Sequence, residues 1–259
     1  MATMSRRIVL SGLAALALPL PARAGSPQEL SADDAEGKIA LSRYAADGEQ
    51  KRPAVLVLHG ARGVELKPLA YERYARALIA TGIDVYLVRY YADTDATAFD
   101  QRTTTRESRD ALYPKRFDAW VRRVFSVATM VLARPESSGR IGLLGFSLGS
   151  FVAADTAAHD NRITALAAMY GGMPDAMVSQ VRHMPPLIEL HGDADHNVPL
   201  AKGKELVELA KSVGAPAEQI VYPGKQHGFD FSDNDPATAD AIQRVVHFFH
   251  QRLLDGSLL

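Results

Sequence analysis

The chain has no cysteine, and beyond its first two dozen residues it carries no run of lysine or arginine. Without cysteine there can be no disulfide, no thiolate nucleophile and no zinc–thiolate site. The formal net charge is only −1, so neither nucleic acid nor an anionic membrane surface is an expected partner. What remains is the ordinary composition of one globular domain with a substantial core.

The amino terminus has the three-part layout of a secretory signal peptide. Met1 to Arg7 is short and basic, Ile8 to Leu20 is apolar, and Ala22-Arg23-Ala24 is a small-x-small cleavage signal. The apolar part is too short and too interrupted by proline to form a membrane anchor, and the alternative is a buried N-terminal helix.

We therefore expect residues 1–24 to be removed and the protein to be periplasmic or secreted. Ser5-Arg6-Arg7 also resembles a twin-arginine export signal, so the export route stays open. Residues 25–259 are expected to form a single domain.

Apolar β-rich runs alternate with amphipathic stretches, which predicts the α/β class, with a mostly parallel central sheet and helices on both faces. Predicted strands are Ala54–Leu58, Ile83–Val88, Ile141–Leu144, Ile163–Met169, Pro186–Leu190 and Gln219–Tyr222. Predicted helices are Leu69–Ala80, Arg116–Ala133, Leu148–Ala158, Leu200–Val213 and Ala237–Leu254. Gly25 to Glu36 reads as a polar lead-in, an edge strand is expected near Ile39–Tyr44, and Ala92–Arg109 is expected to be an irregular loop on the ligand-binding rim.

The run Gly145-Phe146-Ser147-Leu148-Gly149 directly follows a predicted strand. Small residues on both sides of a serine permit a sharp strand-to-helix turn, which raises the hydroxyl above the sheet. Because serine and glycine are common, this pattern predicts a nucleophile at Ser147 only if an acid and a histidine follow it in the chain.

Both follow. His191-Gly192-Asp193-Ala194-Asp195 comes after one predicted strand, and His227 lies on a loop after the next. Either carboxylate could orient a histidine, and His227 could act as general base and then as general acid. The order serine, acid, histidine is that of the α/β-hydrolases.

A further turn, His59-Gly60-Ala61, follows the predicted strand Ala54–Leu58. Its backbone can present an N–H to a developing oxyanion, and we expect the N–H groups of Ala61 and Leu148 to form the oxyanion hole. His59 is expected to shape this turn by hydrogen bonding to the backbone.

These motifs, their order and their spacing resemble the dienelactone hydrolase family of the α/β-hydrolase superfamily, over roughly Lys38 to Leu254. The most distinctive runs are G-x-x-D-x-x-V-P, from Gly192 to Pro199, and His227-Gly228-Phe229. The resemblance implies the α/β-hydrolase fold, cleavage of a small-molecule ester or lactone without cofactor or metal, and Asp195 rather than Asp193 as the orienting acid.

Three positions depart from the family pattern, and two others match it. The namesake enzymes have cysteine where this chain has Ser147, an acidic residue at the position of Gly60, and an arginine at the position of Phe231. The resemblance therefore points to a serine-using, esterase-like branch. A family R-x-x-x-Y pattern does match Arg109 and Tyr113, which implies a substrate-binding role for both.

Three other functions compete with this prediction. The chain could be a prolyl-oligopeptidase-like peptidase, although it lacks the length for a gating domain, or a non-catalytic binding protein on the same fold. The cluster from His191 to His196 also approaches the H-x-H-x-D-H signature of metallo-β-lactamase-like hydrolases, with Asp193 where the second histidine should be. The oligomeric state and the acyl and alcohol groups of the substrate are not encoded in any motif.

Overall fold

The computed structural model describes residues 26–100 and 103–255, so the predicted signal peptide lies outside the described residues. An eight-stranded sheet forms the centre, in the spatial order β1-β2-β4-β3-β5-β6-β7-β8. The strands are β1 (Gln28–Asp34), β2 (Gly37–Tyr44), β3 (Arg52–Leu58), β4 (Asp84–Val88), β5 (Ser137–Phe146), β6 (Ile163–Met169), β7 (Leu187–Gly192) and β8 (Ala217–Tyr222). From β4 to β8 all neighbours are parallel, whereas β1 and β2 run antiparallel to their neighbours.

Helices cover both faces, which confirms the predicted architecture. They are α1 (Pro68–Ile79), α2 (Asp93–Ala98), α3 (Arg106–Asp110), α4 (Tyr113–Leu132), α5 (Leu148–His159), α6 (Asp175–Val178), α7 (Leu200–Ser212) and α8 (Pro236–Phe249), and α8 continues as a π-helical turn over His250–Leu254. One core lies between the sheet and α4, α5 and α7, with Trp120 at its centre, and a second lies beneath α1 and α8, around Tyr74 and Phe249. Among the described residues, no helix has the length and apolarity needed to cross a membrane.

The central strands were predictable because β3 and β4 are buried along their whole length. A strand with both faces covered is a continuous apolar run, which is the expected pattern in a parallel sheet. The register carries the carboxyl ends of β3, β5, β7 and β8 to one rim of the sheet.

The amino-terminal prediction was wrong in two ways. Residues 28–34, predicted as a polar lead-in, form β1, and the predicted edge strand is an inner strand because β2 pairs with both β1 and β4. β1 is mostly exposed and so lacks an apolar pattern. Its position follows instead from the hairpin turn at Gly37, whose φ is +103°, and from the ion pair between Asp34 and Arg123 of α4.

The segment 92–109, predicted to be irregular, contains the short helix α2 and all but the last residue of α3. Asp95 ties α2 to α4, because its carboxylate accepts hydrogen bonds from Arg116 and from Trp120 Nε1, the latter at 2.9 Å. These partners lie more than twenty positions away in the chain, and local sequence patterns carry no information about them.

Candidate active site

Ser147 sits in the turn between β5 and α5 with φ 52° and ψ −119°, a backbone conformation that L-residues rarely adopt. The flanking glycines are required by close backbone packing. A Cβ on Gly145 would lie 2.3 Å from the carbonyl oxygen of Gly149, and one on Gly149 would lie 2.4 Å from those of Leu58 and His59. The strained turn therefore holds the Ser147 hydroxyl at a fixed height above the rim.

The structure brings Ser147, His227 and Asp195 into one chain of contacts. His227 Nε2 is 2.9 Å from Ser147 Oγ, and His227 Nδ1 is 2.7 Å from Asp195 Oδ2. A carboxylate only accepts, so the Nδ1 proton faces Asp195 and leaves Nε2 free to accept the serine proton. The Asp195 side chain is fully buried, which protects this contact from water.

The structure also separates the two candidate acids. Asp193 accepts a hydrogen bond from the N–H of Gly224 at 2.6 Å, whereas His227 Nδ1 contacts Asp195. Asp195 approaches His227 because the loops after β7 and β8 lie against each other at Gly192, where a Cβ would lie 2.1 Å from the carbonyl oxygen of Lys225. The glycine of the G-x-x-D run thus permits the approach that joins acid to histidine.

The turn after β3 lies beside Ser147, since a Cβ on Gly60 would be 3.5 Å from the Cβ of Ser147. The N–H of Gly60 donates to the hydroxyl of Tyr71 at 3.1 Å, which occupies that donor. Within the described part of the chain, no hydrogen-bond acceptor is assigned to the N–H of Ala61 or of Leu148. Leu148 is the first residue of α5, where helical N–H groups have no intrahelical partner, so both groups are available to an oxyanion.

His59 is buried in this turn, and its ring contacts lie with Gly60 and the neighbouring tyrosines. Its Nδ1 lies 2.8 Å from the carbonyl oxygen of Gly60, and its ring stacks on Tyr90 with 4.2 Å between centroids. Burial lowers the pKa of His59 to about 4, so it is neutral at neutral pH. Its contacts are those of a residue that shapes the turn.

A cavity of about 1230 Å³ opens over Ser147. One wall is largely apolar, and cationic side chains stand at other points of the lining. The apolar wall consists of Tyr113, Phe117, Leu148, Phe151, Met173 and Met177. The cations are Arg62, Lys67, Arg109 and Lys202, of which Lys202 is paired with Asp175.

Arg109 and Tyr113 both line this cavity, at the end of α3 and the start of α4. The Arg109 guanidinium donates to the carbonyl oxygen of Thr104 at 2.6 Å, and the Tyr113 ring stacks on Phe99. Phe231, which stands where the namesake enzymes have an arginine, also lines the cavity and packs on Tyr71 and Phe146.

The sequence interpretation missed Tyr170. It follows β6 directly, has a φ of 41°, and packs the edge of its ring on His227 with 4.7 Å between centroids. Its place immediately after a parallel strand was the available signal, since the other site residues follow strand ends in the same way.

Asp230 is a second unexpected residue, buried three positions after His227. It accepts a hydrogen bond from the Tyr74 hydroxyl at 2.7 Å, but its Oδ1 atom has no partner among the described residues. Burial raises its pKa to about 6, against the smaller opposing effect of the hydrogen bond from Tyr74. No cluster of three or more potential metal ligands occurs in the part of the chain that the structure describes.

Comparison with known proteins gives the same family as the motifs. The model of the dienelactone hydrolase family matches residues 41–253. A protein of Methylorubrum extorquens named "Putative carboxymethylenebutenolidase" is 28% identical over 128 residues, which are 44% of each chain. The curated relatives that the chain matches are aligned over about half of their length or less.

Solved structures share the fold at low identity. A dienelactone hydrolase from Anabaena variabilis superposes with a TM-score of 0.67 at 19% identity, over 88% of this chain and all of the other. An acylaminoacyl peptidase from Pyrococcus horikoshii superposes with a TM-score of 0.70 at 12% identity, over 89% of this chain and 42% of the other. With the family match covering most of its length, the chain belongs to the dienelactone hydrolase family.

Proposed function

We propose that this protein is an exported serine hydrolase that cleaves a carboxylic ester or lactone through an acyl-enzyme on Ser147. The observation that supports it most directly is the contact of His227 with both the Ser147 hydroxyl, at 2.9 Å, and the buried Asp195 carboxylate, at 2.7 Å. Family membership and the family's hydrolase relatives support the same reaction class.

In this mechanism Ser147 Oγ attacks the substrate carbonyl carbon while His227 Nε2 takes the hydroxyl proton. Asp195 keeps the proton on Nδ1 and stabilises the imidazolium that forms. The N–H groups of Ala61 and Leu148 donate to the oxyanion of the tetrahedral intermediate, and one such donor typically contributes about 3 kcal/mol. The carbon–oxygen bond to the alcohol then breaks, and His227 returns the proton to the leaving oxygen.

Deacylation repeats the sequence with water as the nucleophile. His227 removes a proton from water, the hydroxide oxygen bonds to the acyl carbon, and the Ser147 oxygen leaves and regains its proton. A lactone follows the same steps, and its alcohol remains attached to the released acid.

The Ser147 hydroxyl needs His227 as its base, because a serine is not ionised at neutral pH as a low-pKa thiol can be. A Cβ on Gly60, at the position where the namesakes have an acid that interacts with their thiol, would lie 3.5 Å from the Cβ of Ser147, so Gly60 brings no carboxylate to Ser147. Both features support the serine-using branch of the family.

We further propose that Arg109 and Tyr113 bind the substrate, since both line the cavity. An ester panel of varied acyl length and charge would test this, and a preference for anionic esters is the expected sign of Arg109. Export is supported by the three-part amino terminus, and the exported protein is expected to begin at Gly25 on N-terminal sequencing.

The test of the mechanism is Ser147→Ala, assayed with p-nitrophenyl acetate and with a fluorophosphonate probe. We expect loss of at least about a thousandfold in kcat and loss of labelling, because no other residue then forms the acyl-enzyme. Residual hydrolysis above a few per cent would reject the assignment. A wild-type protein that neither hydrolyses esters nor reacts with the probe would instead be a binding protein.

A further inference from the structure

A second acid–histidine pair lies beneath the first. Glu189 and His191 are both on β7, with side chains that have no exposed surface. Glu189 Oε1 is 2.7 Å from His191 Nδ1, and Glu189 Oε2 accepts a hydrogen bond from the Gln219 side chain at 2.8 Å. The proposed mechanism uses neither residue.

His191 contacts Asp195 directly, and it also contacts Val198 in the loop that holds Asp195. Its Nε2 lies 3.0 Å from the carbonyl oxygen of Val198 and 3.3 Å from Asp195 Oδ2. The loop that it contacts in turn holds the other carboxylate oxygen, because Asp195 Oδ1 accepts from the N–H groups of Asn197 and Val198 at 2.8 and 2.9 Å.

The proton positions follow from these partners. A carbonyl oxygen only accepts, so His191 Nε2 carries a proton that points at Val198 and Asp195. One further proton is shared between His191 Nδ1 and Glu189, so the pair is neutral overall while its positive end faces Asp195. Burial is the largest single effect and lowers the pKa of His191, but the hydrogen bond and charge of Glu189, with smaller effects of Val198 and Asp195, together outweigh it, so the net pKa is raised.

The fold makes room for this pair at a cost. Gly203 lies inside α7, and a Cβ there would be 2.4 Å from the Glu189 carboxylate. A glycine inside a helix is destabilising relative to alanine, and a buried ionic pair is rarely more stable than an apolar one. Folding stability alone therefore does not explain this arrangement.

We propose that Glu189 and His191 form a positioning pair, which fixes the Asp195 carboxylate against His227 and so sets the rate of the chemical step. The proposal rests on the proposed function. His191 acts only through Asp195 and through Val198, and it does not touch the substrate.

Two amide substitutions at one position test it. In His191→Gln the side-chain nitrogen can reach the place of Nε2 and still donate to Val198 and Asp195. In His191→Asn the shorter amide reaches only the place of Nδ1, so it can contact Glu189 but leaves Asp195 and Val198 without a donor. Both variants lose the imidazole. They differ in where the side-chain N–H lies: in the glutamine variant it can donate to Val198 and Asp195, and in the asparagine variant only to Glu189.

We expect His191→Asn to lower kcat for p-nitrophenyl acetate about tenfold with KM unchanged within about twofold, since small displacements of a positioning group slow chemistry without weakening binding. His191→Gln should recover most of that loss, and the rate of fluorophosphonate labelling should follow the same order. The matched control is His159→Asn, the same substitution at another histidine that lies against an aspartate, with its Nδ1 at 3.2 Å from Asp155 and outside the site. It should leave kcat unchanged.

Equal kcat in the asparagine and glutamine variants, whether high or low, would overturn the proposal. Should neither variant fold, Gly203→Ala is the deciding test. It removes no ionisable group from the chain, and its added Cβ pushes on the Glu189 carboxylate. Its kcat should fall while KM holds, and an unchanged kcat would contradict the positioning role. A reactive wild type whose variants do not differ rejects this inference alone, whereas an unreactive wild type rejects the proposed function with it.

Discussion

Two buried ionic clusters lie at opposite ends of the sheet, and they differ in whether the partner of the buried carboxylate can exchange a proton. At the amino end of β4, Asp84 accepts from Arg52 at 2.7 Å and from Arg43 at 2.6 Å, and it also accepts from the N–H of Ala46 at 3.0 Å. At the carboxyl rim, Asp195 is held by backbone N–H groups and by His227, whose second nitrogen faces a hydroxyl in an open cavity.

The difference lies in the partners. Arginine stays charged at every pH the protein meets, so the partners of Asp84 offer no proton to exchange, and their contacts join β2, β3 and β4. Histidine can gain and lose a proton near neutrality, so the Asp195 cluster has a group that can exchange a proton with a ligand. The role of each buried carboxylate in this comparison therefore depends on whether its partner can gain and lose a proton near neutral pH.

The largest expected effect comes from Asp195→Asn. The amide presents an N–H to His227 Nδ1, which favours the wrong tautomer and removes the charge that stabilises the imidazolium. We expect kcat for an ester to fall by about ten-thousandfold, as in other serine hydrolases with this change. The urea midpoint of unfolding should change little. A variant whose urea midpoint falls while its kcat stays at the wild-type value would reverse the comparison.

The opposite result is expected for Asp84→Asn. The loss of one buried charge leaves two guanidinium groups without full compensation, and the free energy of unfolding should fall by about 3 kcal/mol. Its kcat and KM, measured well below the unfolding midpoint, should match the wild type. Asp240→Asn is the control, because the ion pair of Asp240 with Arg244 is about half exposed and should contribute no more than about 1 kcal/mol. A loss of activity in folded Asp84→Asn would show that the two ends of the sheet are coupled.

Asp230 sharpens the comparison, because it is buried like Asp84 but receives no hydrogen bond from an arginine at its carboxylate among the described residues. Arg73 donates to its backbone carbonyl oxygen instead, at 3.4 Å. Its folded pKa of about 6 lies above the ordinary value, so between the two values the folded state binds more protons than the unfolded state. The contribution of Asp230 to the unfolding free energy should then fall as pH rises through this window, by up to about 3 kcal/mol. It is measured as the difference between the wild type and Asp230→Asn, because the lowered pKa of His59 acts in the opposite direction over much of the same pH range. The variant should match the wild type near pH 4 and exceed it near pH 7.5.

Asp240 again supplies the matched control for chemical denaturation at both pH values. It accepts from the Tyr222 hydroxyl at 2.7 Å, just as Asp230 accepts from Tyr74, but it also pairs with Arg244. Its pKa is lowered despite the opposing effect of burial, because both hydrogen bonds favour the charged form. Asp240→Asn should therefore gain no stability at pH 7.5, and a gain equal to that of Asp230→Asn would refute the explanation by burial.

The inner strands and long helices could be predicted because burial on both faces, or on one helical stripe, is written into a local pattern. β3 and β4 were predicted almost to the residue for this reason. β1 was missed because an exposed edge strand needs no apolar pattern, and α2 was missed because its anchor is the distant pair Arg116 and Trp120.

The sequence by itself determined the family, the fold and the chemical candidates. The reason is that G-x-S-x-G, G-x-x-D and His227-Gly228-Phe229 are local runs, each at or shortly after the end of a strand. Only the tertiary structure decided which candidates touch one another. Asp195 rather than Asp193 meets His227, Tyr170 packs beside it, and Glu189 with His191 lies beneath. The physical reason is that side-chain contacts of a few ångströms depend on register and loop packing between strands far apart in the chain, which no local pattern records.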